Sequence, residues 1–351
     1  MQQLKTFLKK ILGNFFKILL YGTAILLLVY LSGFLFKKPA QKVNGFEYAS
    51  GDQASKDLIL QIPIHGLILG SSSIFDAGFL ARGSMLTFGY DVKEVLKEAA
   101  NNSAVKGVLL HIISPGGTIY GSQAIAEGVE IFRSSGKPIF AFVEGLAASG
   151  GVWSFAPAER IIADEGSMLG SVGVIGGEFY YYDEPFAYSQ GIFGGSVTTK
   201  RGISQTIIHA GKGKDLGSPF RRLTESEKEL LQKAVNQGYD KFLKHLKKHR
   251  AINEEMYRNK IGAAILSAEQ ALEYGMIDKI ESYDNTIDNL AERAGLTDSF
   301  KVVTPFQETP TVLKQLLGIL SPTRAISPSC SLFFMQALVF SGSKSQFCSL
   351  L

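Results

Sequence analysis

A single serine in a run of small residues is the first candidate for chemistry in this chain. The stretch EGLAASGGVWSFAP, residues 144–157, places Ser149 between two alanines and two glycines. Small neighbours allow other backbone to approach a serine closely, which a nucleophile needs. The same position also suits an ordinary helix N-cap. Because the spacing is not that of the G-x-S-x-G turn of α/β-hydrolases, the run alone leaves both interpretations open.

A serine nucleophile needs a base, and lysine is a better candidate here than histidine. His111 falls inside an apolar strand pattern, where we expect a hydrogen-bonded core residue. Burial lowers the pKa of a lysine ammonium, and the neutral amine can then accept a serine proton. The segment HAGKGKDLGSPFRRLT holds Lys212 and Lys214 between glycines. Taken alone, these residues are typical of surface lysines in a glycine-rich loop.

A third motif could bind negative charge. The segment SPGG, from Ser114 to Gly117, follows the strand pattern VKGVLLHII and precedes a helix pattern. Backbone N–H groups at such a turn can bind an anion or an oxyanion that forms during reaction. On its own the motif favours an ordinary strand–helix turn.

Strand and helix patterns alternate around these motifs and predict βα units on a sheet, that is, an α/β fold. Asp91 is a candidate cap for the first helix, and Thr224 with Glu227 and Ser267 with Gln270 form capping-box patterns. In the helix that follows Thr224, an apolar stripe predicts a core-facing side. The predicted strands are residues 58–66, 105–113, 137–143 and 160–164, and the stripe is Leu231, Val235, Phe242 and Leu246.

The two ends of the chain differ from the centre. Residues 18–36 are apolar and uncharged, which predicts a transmembrane helix. No A-x-A-like site follows them, so we expect a retained anchor. Lysines on both sides give a weak bias for a cytoplasmic N-terminus, residues 1–17. We expect a linker at 37–56, a catalytic domain at 57–300 and a C-terminal tail at 301–351, with the short apolar segment SLFFMQALVF.

Composition argues against several classes of function. The net charge of +4 is modest, so we expect no nucleic-acid partner. The two cysteines, Cys330 and Cys348, form no metal motif, and the five histidines have no metal-ligand spacing. We therefore expect neither a metal nor a cofactor.

Taken together, five motifs in a fixed order resemble the signal peptide peptidase A family, peptidase family S49. They are GVLLHIISPGG, EGLAASGG, GSMLGSVGVIGG, GKGKDLGSPFRRLT and SAEQALEYGMID, within residues 57–285. The resemblance implies a ClpP/crotonase-like spiral of ββα units preceded by one transmembrane helix. It implies a membrane-anchored serine endopeptidase that degrades cleaved signal peptides or other membrane-associated peptides.

The resemblance also implies roles for residues of this chain. Ser149 would be the nucleophile and Lys214 the general base, with the lysine of one subunit reaching the serine of its neighbour in a homo-oligomeric ring. The ring would sit on membrane lipid, in the bacterial inner membrane, with its catalytic domain outside the cytoplasm. Backbone N–H groups of Gly116, Gly117 and Gly150 would form the oxyanion hole. A strand at 170–177 would bind substrate through Ser171, Val172, Gly173, Val174 and Ile175.

Departures from the family pattern leave some alternatives open. Ile113 stands where asparagine is frequent, and Ala263 with Ala264 replaces a glycine–arginine pair. Residues 178–210 are longer and more aromatic than the pattern, so Lys200 and Lys212 remain possible bases beside Lys214. Two other functions are a crotonase-like acyl-CoA enzyme that uses Glu144, and a non-catalytic membrane scaffold that keeps the ring.

Overall fold

The structure, a computed structural model, describes most of the central part of the chain. The described residues are 14–17, 20–23, 42–43, 46–71, 86–183, 188–190, 196–198, 205–296 and 299–305. Within these ranges no helix is both long enough and apolar enough to cross a membrane. Most of the predicted transmembrane segment, residues 18–36, lies outside them, as do Lys200 and the tail beyond residue 305.

The chain divides into two compact units, residues 1–48 and 49–351. In the first unit, residues 14–17 and 20–23 are helical, and β1 (Lys42–Val43) pairs antiparallel with the start of β2 (Phe46–Gly51). The second unit carries every predicted site residue that the structure describes.

A sheet of mainly parallel strands forms the centre of the second unit. Its main path runs β13-β3-β5-β6-β7-β12, and β4, β8 and β11 pair beside it. The bounds are β3 (Leu58–Leu69), β4 (Leu86–Phe88), β5 (Val105–Gly117), β6 (Ile139–Ala148), β7 (Arg160–Ala163), β8 (Met168–Gly170), β11 (Ile265–Ser267), β12 (Lys279–Ile280) and β13 (Lys301–Pro305). A separate ribbon pairs β9 (Tyr188–Gln190) with β10 (Ser196–Thr198). The fold is therefore α/β, as the sequence predicts.

Helices connect the strands and cover the sheet. They are α1 (Gly89–Asn101), α2 (Ile119–Ser134), α3 (Gly150–Phe155), α4 (Glu225–His249), α5 (Glu254–Met256), a π-helical turn (Tyr257–Ile261), α6 (Ala268–Glu273) and α7 (Tyr283–Arg293). Through Ile287 and Leu290, α7 packs on a buried cluster that includes Phe140 and Phe142 of β6. Burial of such side chains contributes about 1.5–3 kcal/mol each.

β5 runs further than the sequence pattern indicates, and β13 lies where the sequence predicts no strand. β5 continues through the SPGG motif to Gly117 because Gly117 pairs with Ile68 of β3. Residues 301–303 of β13 pair in parallel with residues 58–60 of β3. The sheet therefore extends into the region that the sequence assigns to the tail.

The helix caps are partly as predicted. Both capping boxes form, at Thr224 with Glu227 and at Ser267 with Gln270. The prediction for Asp91 is wrong: α1 begins at Gly89, and its N-cap, Phe88, makes no side-chain cap bond. Close packing fixes this start, because a Cβ on Gly89 would lie 2.0 Å from the carbonyl oxygen of Gly121.

The apolar stripe of α4 is buried only in the C-terminal half of the helix. Phe242 and Leu246 of the predicted stripe are buried, whereas Leu231 and Val235 are only partly covered. Leu230 beside them is 69% exposed. The prediction of a core-facing stripe is thus right for the second half of the helix alone.

Candidate active site

Ser149 sits at a strained turn between β6 and α3. Its backbone has φ 50° and ψ −118°, a positive φ that non-glycine residues rarely adopt. The turn is held because Ser149 N donates to Gly170 O at 2.8 Å, and Ser149 O accepts from Trp153 N at 3.1 Å. Although Ser149 occupies the N-cap position, its side chain makes no capping bond. The hydroxyl is therefore left available, which opposes the simple cap interpretation.

The SPGG motif lies directly against this turn. Gly116 has φ +104°, and a Cβ there would lie 2.7 Å from Gly150 N and 2.9 Å from Ser149 Cβ. A Cβ on Gly150 would in turn lie 3.0 Å from Gly117 N. Glycine is required at these positions so that the two backbones can approach each other. The structure thus brings Ser149 together with all three glycines that the sequence nominates.

The N–H groups of these glycines differ in their partners. Gly116 N donates to Ser114 Oγ at 3.0 Å, and Ser114 Oγ donates to Gly66 O at 2.6 Å. Ser114 is fully buried, so this bond holds the motif in place from inside. Gly150 is the first residue of α3, where N–H groups have no partner within the helix.

The short helix α3 is clamped from two sides. The indole N–H of Trp153 donates to Gln123 Oε1 of α2 at 2.9 Å. On the other side His245 of α4 stacks on Trp153, with ring centroids 4.9 Å apart, and its Nε2 donates to Trp153 O at 2.9 Å. Burial lowers the pKa of His245 to about 4, so the ring is neutral near pH 7. The tryptophan is a packing residue that fixes the helix behind Ser149.

The predicted base lies in a loop closed by charged groups. Lys214 is exposed, and its backbone N–H donates to Gly211 O at 3.3 Å. Arg221 binds Asp215, the residue after Lys214, and also Glu227 of α4. Among the described residues, Lys214 Nζ makes no hydrogen bond with Ser149 Oγ. Lys212 is also exposed in this loop.

Helix α4 connects the two candidate catalytic segments. Glu227 in its first turn contacts the loop of Lys214 through Arg221, and His245 near its end contacts Trp153. The two contacts are 18 positions apart in sequence, which corresponds to about 27 Å along an α-helix. The same chain therefore attaches its lysine loop and its serine helix at distant points of α4.

The predicted substrate segment is not a strand in this single chain. β8 ends at Gly170, and residues 171–182 have no regular ladder. Ser171 has φ 52°, and its N–H donates to Ala264 O at 2.9 Å. Val172 is buried, but Ile175 is 80% exposed. The strand prediction at 170–177 is wrong for this conformation, because the chain turns away from the sheet at Ser171.

Other titratable groups near the sheet are paired with one another. His111 Nε2 bonds Glu144 Oε2 at 2.7 Å, and His111 Nδ1 lies 3.2 Å from His65 Nε2. Desolvation, with His111 nearby, lowers the pKa of His65. His111 is thus a hydrogen-bonded core histidine, as predicted, and it engages the carboxylate of Glu144. No group of metal-ligating side chains occurs among the described residues.

Sequence reasoning did not identify the roles of Arg221, Asp215 and His245. Arg221 stands in the RRLT segment, where its spacing of six from both Asp215 and Glu227 was the available signal. Lysines surround His245 in the segment KHLKKHR, a pattern typical of a solvated helix end, so the sequence gives no sign of its contact with Trp153.

Comparison with known proteins shows which proteins this chain is similar to. The model of peptidase family S49 matches residues 131–297. A putative protease, MJ0651, of Methanocaldococcus jannaschii is 35% identical over 58% of this chain and 61% of its own length. A putative signal peptide peptidase SppA of Enterococcus faecium is 29% identical over 70% of this chain and 66% of its own length. The chain thus spans slightly less than two thirds of the length of each of these two relatives. A solved structure of the 1510-N membrane-bound stomatin-specific protease covers 72% of this chain at 14% identity, with a TM-score of 0.43.

Proposed function

We propose that this chain, whose residues 131–297 match the model of peptidase family S49, is a serine endopeptidase with a Ser149–Lys214 dyad. The observation that carries the proposal is the conformation of Ser149. Its backbone has positive φ, it lies against Gly116, and its hydroxyl makes no capping bond with the helix that follows. Strain of this kind costs about 1–3 kcal/mol and is concentrated at functional sites.

The reaction would proceed in two stages. Ser149 Oγ attacks the peptide carbonyl carbon while the neutral amine of Lys214 takes the hydroxyl proton. The carbonyl oxygen becomes an oxyanion beside the glycine N–H groups of residues 116, 117 and 150. Lys214 then returns the proton to the leaving amine as the C–N bond breaks. Water hydrolyses the acyl-enzyme by the same route and restores the serine.

The backbone N–H groups of Gly150 and Gly117 are better candidates than that of Gly116 for donating hydrogen bonds to the oxyanion. Gly150 opens α3 and has an N–H without an intrahelical partner, and Gly117 N lies beside it. Gly116 N already donates to Ser114 Oγ. Gly116 would serve mainly by its lack of a side chain.

The dyad would form between subunits rather than within one chain. The lysine loop and the serine helix attach about 27 Å apart along α4, estimated from its rise per residue. The partly uncovered stripe of α4 and the exposed Ile175, Tyr180 and Ile208 offer apolar surface for a neighbouring copy. A head-to-tail contact of this kind closes into a ring when its rotation permits.

Substrate and location follow as further parts of the proposal. Residues 171–175, which belong to no strand in this chain, would have to become extended to pair with an extended peptide by β-augmentation. Apolar, membrane-associated peptides such as cleaved signal peptides fit the exposed apolar side chains around it. Residues 18–36 would anchor the chain to the bacterial inner membrane with the catalytic domain outside the cytoplasm. The domain would have the ClpP/crotonase-like arrangement of ββα units.

Replacement of the nucleophile tests the activity. Ser149→Ala should abolish both cleavage of an apolar fluorogenic peptide and labelling by a serine-reactive phosphonate probe. Ser154→Ala is the matched control, because Ser154 lies in the same helix and its hydroxyl donates to Gly151 O at 2.7 Å within that helix. Retained cleavage in the folded Ser149→Ala variant would refute the proposed function.

A further inference from the structure

Asp215 follows directly after the proposed base, which raises a problem of charge. A free carboxylate beside a lysine stabilises the ammonium form, and the ammonium form cannot accept a proton. For Lys214 to act as a base, another positively charged group must therefore bind the Asp215 carboxylate.

Arg221 engages it completely. Arg221 Nε donates to Asp215 Oδ2 at 2.6 Å, and Nη2 donates to Asp215 Oδ1 at 2.8 Å. Both oxygens of the carboxylate are thus occupied by one guanidinium. Paired bonds of this geometry are among the strongest that side chains form.

The same guanidinium also ties the loop to α4. Arg221 Nη2 donates to Glu227 Oε1 at 2.8 Å, and Nη1 donates to Glu227 Oε2 at 2.9 Å. Glu227 is 9% exposed and forms the capping box with Thr224. Arg221 therefore joins the residue beside the lysine to the capped first turn of α4.

We propose that Arg221 is a positioning residue for the base: it fixes the Lys214–Asp215 turn on α4 and keeps the Asp215 carboxylate from pairing with the Lys214 ammonium. This inference rests on the proposed Ser149–Lys214 function. A lysine at position 221 would perform the role poorly, because an ammonium cannot donate paired bonds to two carboxylates at once.

The charged groups around the Arg221 clamp, that is, Arg221 with its partners Asp215 and Glu227, support this assignment. His209 Nε2 lies 3.4 Å from Asp215 Oδ1, and Lys212 and Arg222 are exposed in the same loop. Hydrogen bonds from Arg221 lower the pKa of Asp215 to about 2 and that of Glu227 to about 2. Both carboxylates are therefore ionised at any pH where the peptidase would work, so the clamp is permanent and does not act as a pH switch.

The pH profile of peptide cleavage separates this role from simple stabilisation. In Arg221→Gln, Asp215 is free to pair with the lysine. In the proposed mechanism kcat/KM rises with pH, because the base must lose its proton before it can act. We expect this rising limb of the pH profile to move to higher pH by about one unit in the variant, the smallest shift usual for an opposite charge a few ångströms away. At pH 7 this corresponds to about a tenfold loss that is recovered at alkaline pH.

A second substitution in the same variant isolates the charge. Asp215→Asn combined with Arg221→Gln should return the rising limb to its wild-type position, although the loop remains untied. Arg222→Gln is the matched control, since it removes the same charge from the neighbouring residue, whose guanidinium lies over the Tyr181 ring at 4.2 Å. Its profile should superpose on that of wild type.

The outcomes distinguish this inference from the proposed function. If Ser149→Ala is inactive but Arg221→Gln keeps the wild-type profile, Arg221 has no such role. If the double variant stays shifted, the charge argument is wrong. If Arg221→Gln does not fold, Asp215→Asn alone decides: the inference requires its rising limb to move to lower pH, and an unmoved limb overturns it. Cleavage by Ser149→Ala would instead refute the dyad itself.

Discussion

The imidazole of His245 lies almost parallel to the indole of Trp153, with an angle of 15° between their planes. Trp153 is four residues after Ser149, and its backbone N–H binds the carbonyl oxygen of Ser149. His245 stands 18 residues along α4 from Glu227, which contacts the lysine loop through Arg221. One helix therefore supports the proposed nucleophile at one end and the proposed base at the other. The predicted substrate segment lies close to the same helix, because a Cβ added at Gly238 would lie 3.4 Å from the Val174 side chain.

The first prediction concerns the contact between Gly116 and Ser149. Gly116→Ala should reduce kcat by about 10²–10³, the loss typical of a disrupted oxyanion hole. The added Cβ would lie 2.7 Å from Ala148 O and Gly150 N, and these backbone atoms cannot move without displacing Ser149. Peptide kinetics on the folded variant provide the measurement.

Gly136→Ala is the control for backbone strain in that experiment. Gly136 also has positive φ, +80°, but a Cβ there meets nothing within 4 Å. It should lower the free energy of unfolding by about 1 kcal/mol and leave kcat unchanged. Equal kcat losses in the two variants would show that the collision at Gly116 is not the cause.

The second prediction concerns stability in acid. The pKa of His245 is about 4 in the folded protein, and that of an unfolded histidine is 6.5. A lowered histidine pKa means that the unfolded state binds the proton more tightly, so stability is complete above pH 6.5 and falls as the pH drops towards 4. This one group could remove up to about 3 kcal/mol over that window.

Replacement of the titrating ring tests this directly. In His245→Gln the free energy of unfolding should depend less steeply on pH between 6.5 and 4 than in wild type. His209→Gln, at an exposed histidine, is the control and should keep the wild-type slope. Denaturant unfolding at several pH values gives the slopes, and parallel curves for His245→Gln and wild type would contradict the prediction.

Much of the fold was accessible from the sequence because local rules dictate it. The branched run at 105–113 forms a buried strand, and the spacing of Thr224 and Glu227 gives a capping box, since both depend on near neighbours. The nucleophile candidate was also accessible, because few other segments concentrate small residues around a serine. The family resemblance added the choice of Lys214 over Lys212, which remains a prediction.

The features that escaped sequence reasoning depend on contacts between distant segments. The start of α1 at Gly89 is set by Gly121 of α2 rather than by Asp91. The end of β8 at Gly170 depends on β11, and residue 171 turns away where its N–H meets Ala264. The pairing of Arg221 with two carboxylates and of His245 with Trp153 likewise joins elements whose order in sequence gives no distance. Patterns of local spacing cannot supply such contacts.

Complementation between two inactive variants tests the central claim most directly. Ser149→Ala keeps the lysine and Lys214→Ala keeps the serine, so each should be inactive alone. If the dyad forms between subunits, oligomers assembled from equal amounts of both should recover about a quarter of wild-type activity, the share of head-to-tail contacts that join an intact serine to an intact lysine. Ser149→Ala mixed with the double variant should recover none. An inactive mixture, in oligomers shown by tagged co-purification to contain both chains, would contradict a dyad shared between subunits.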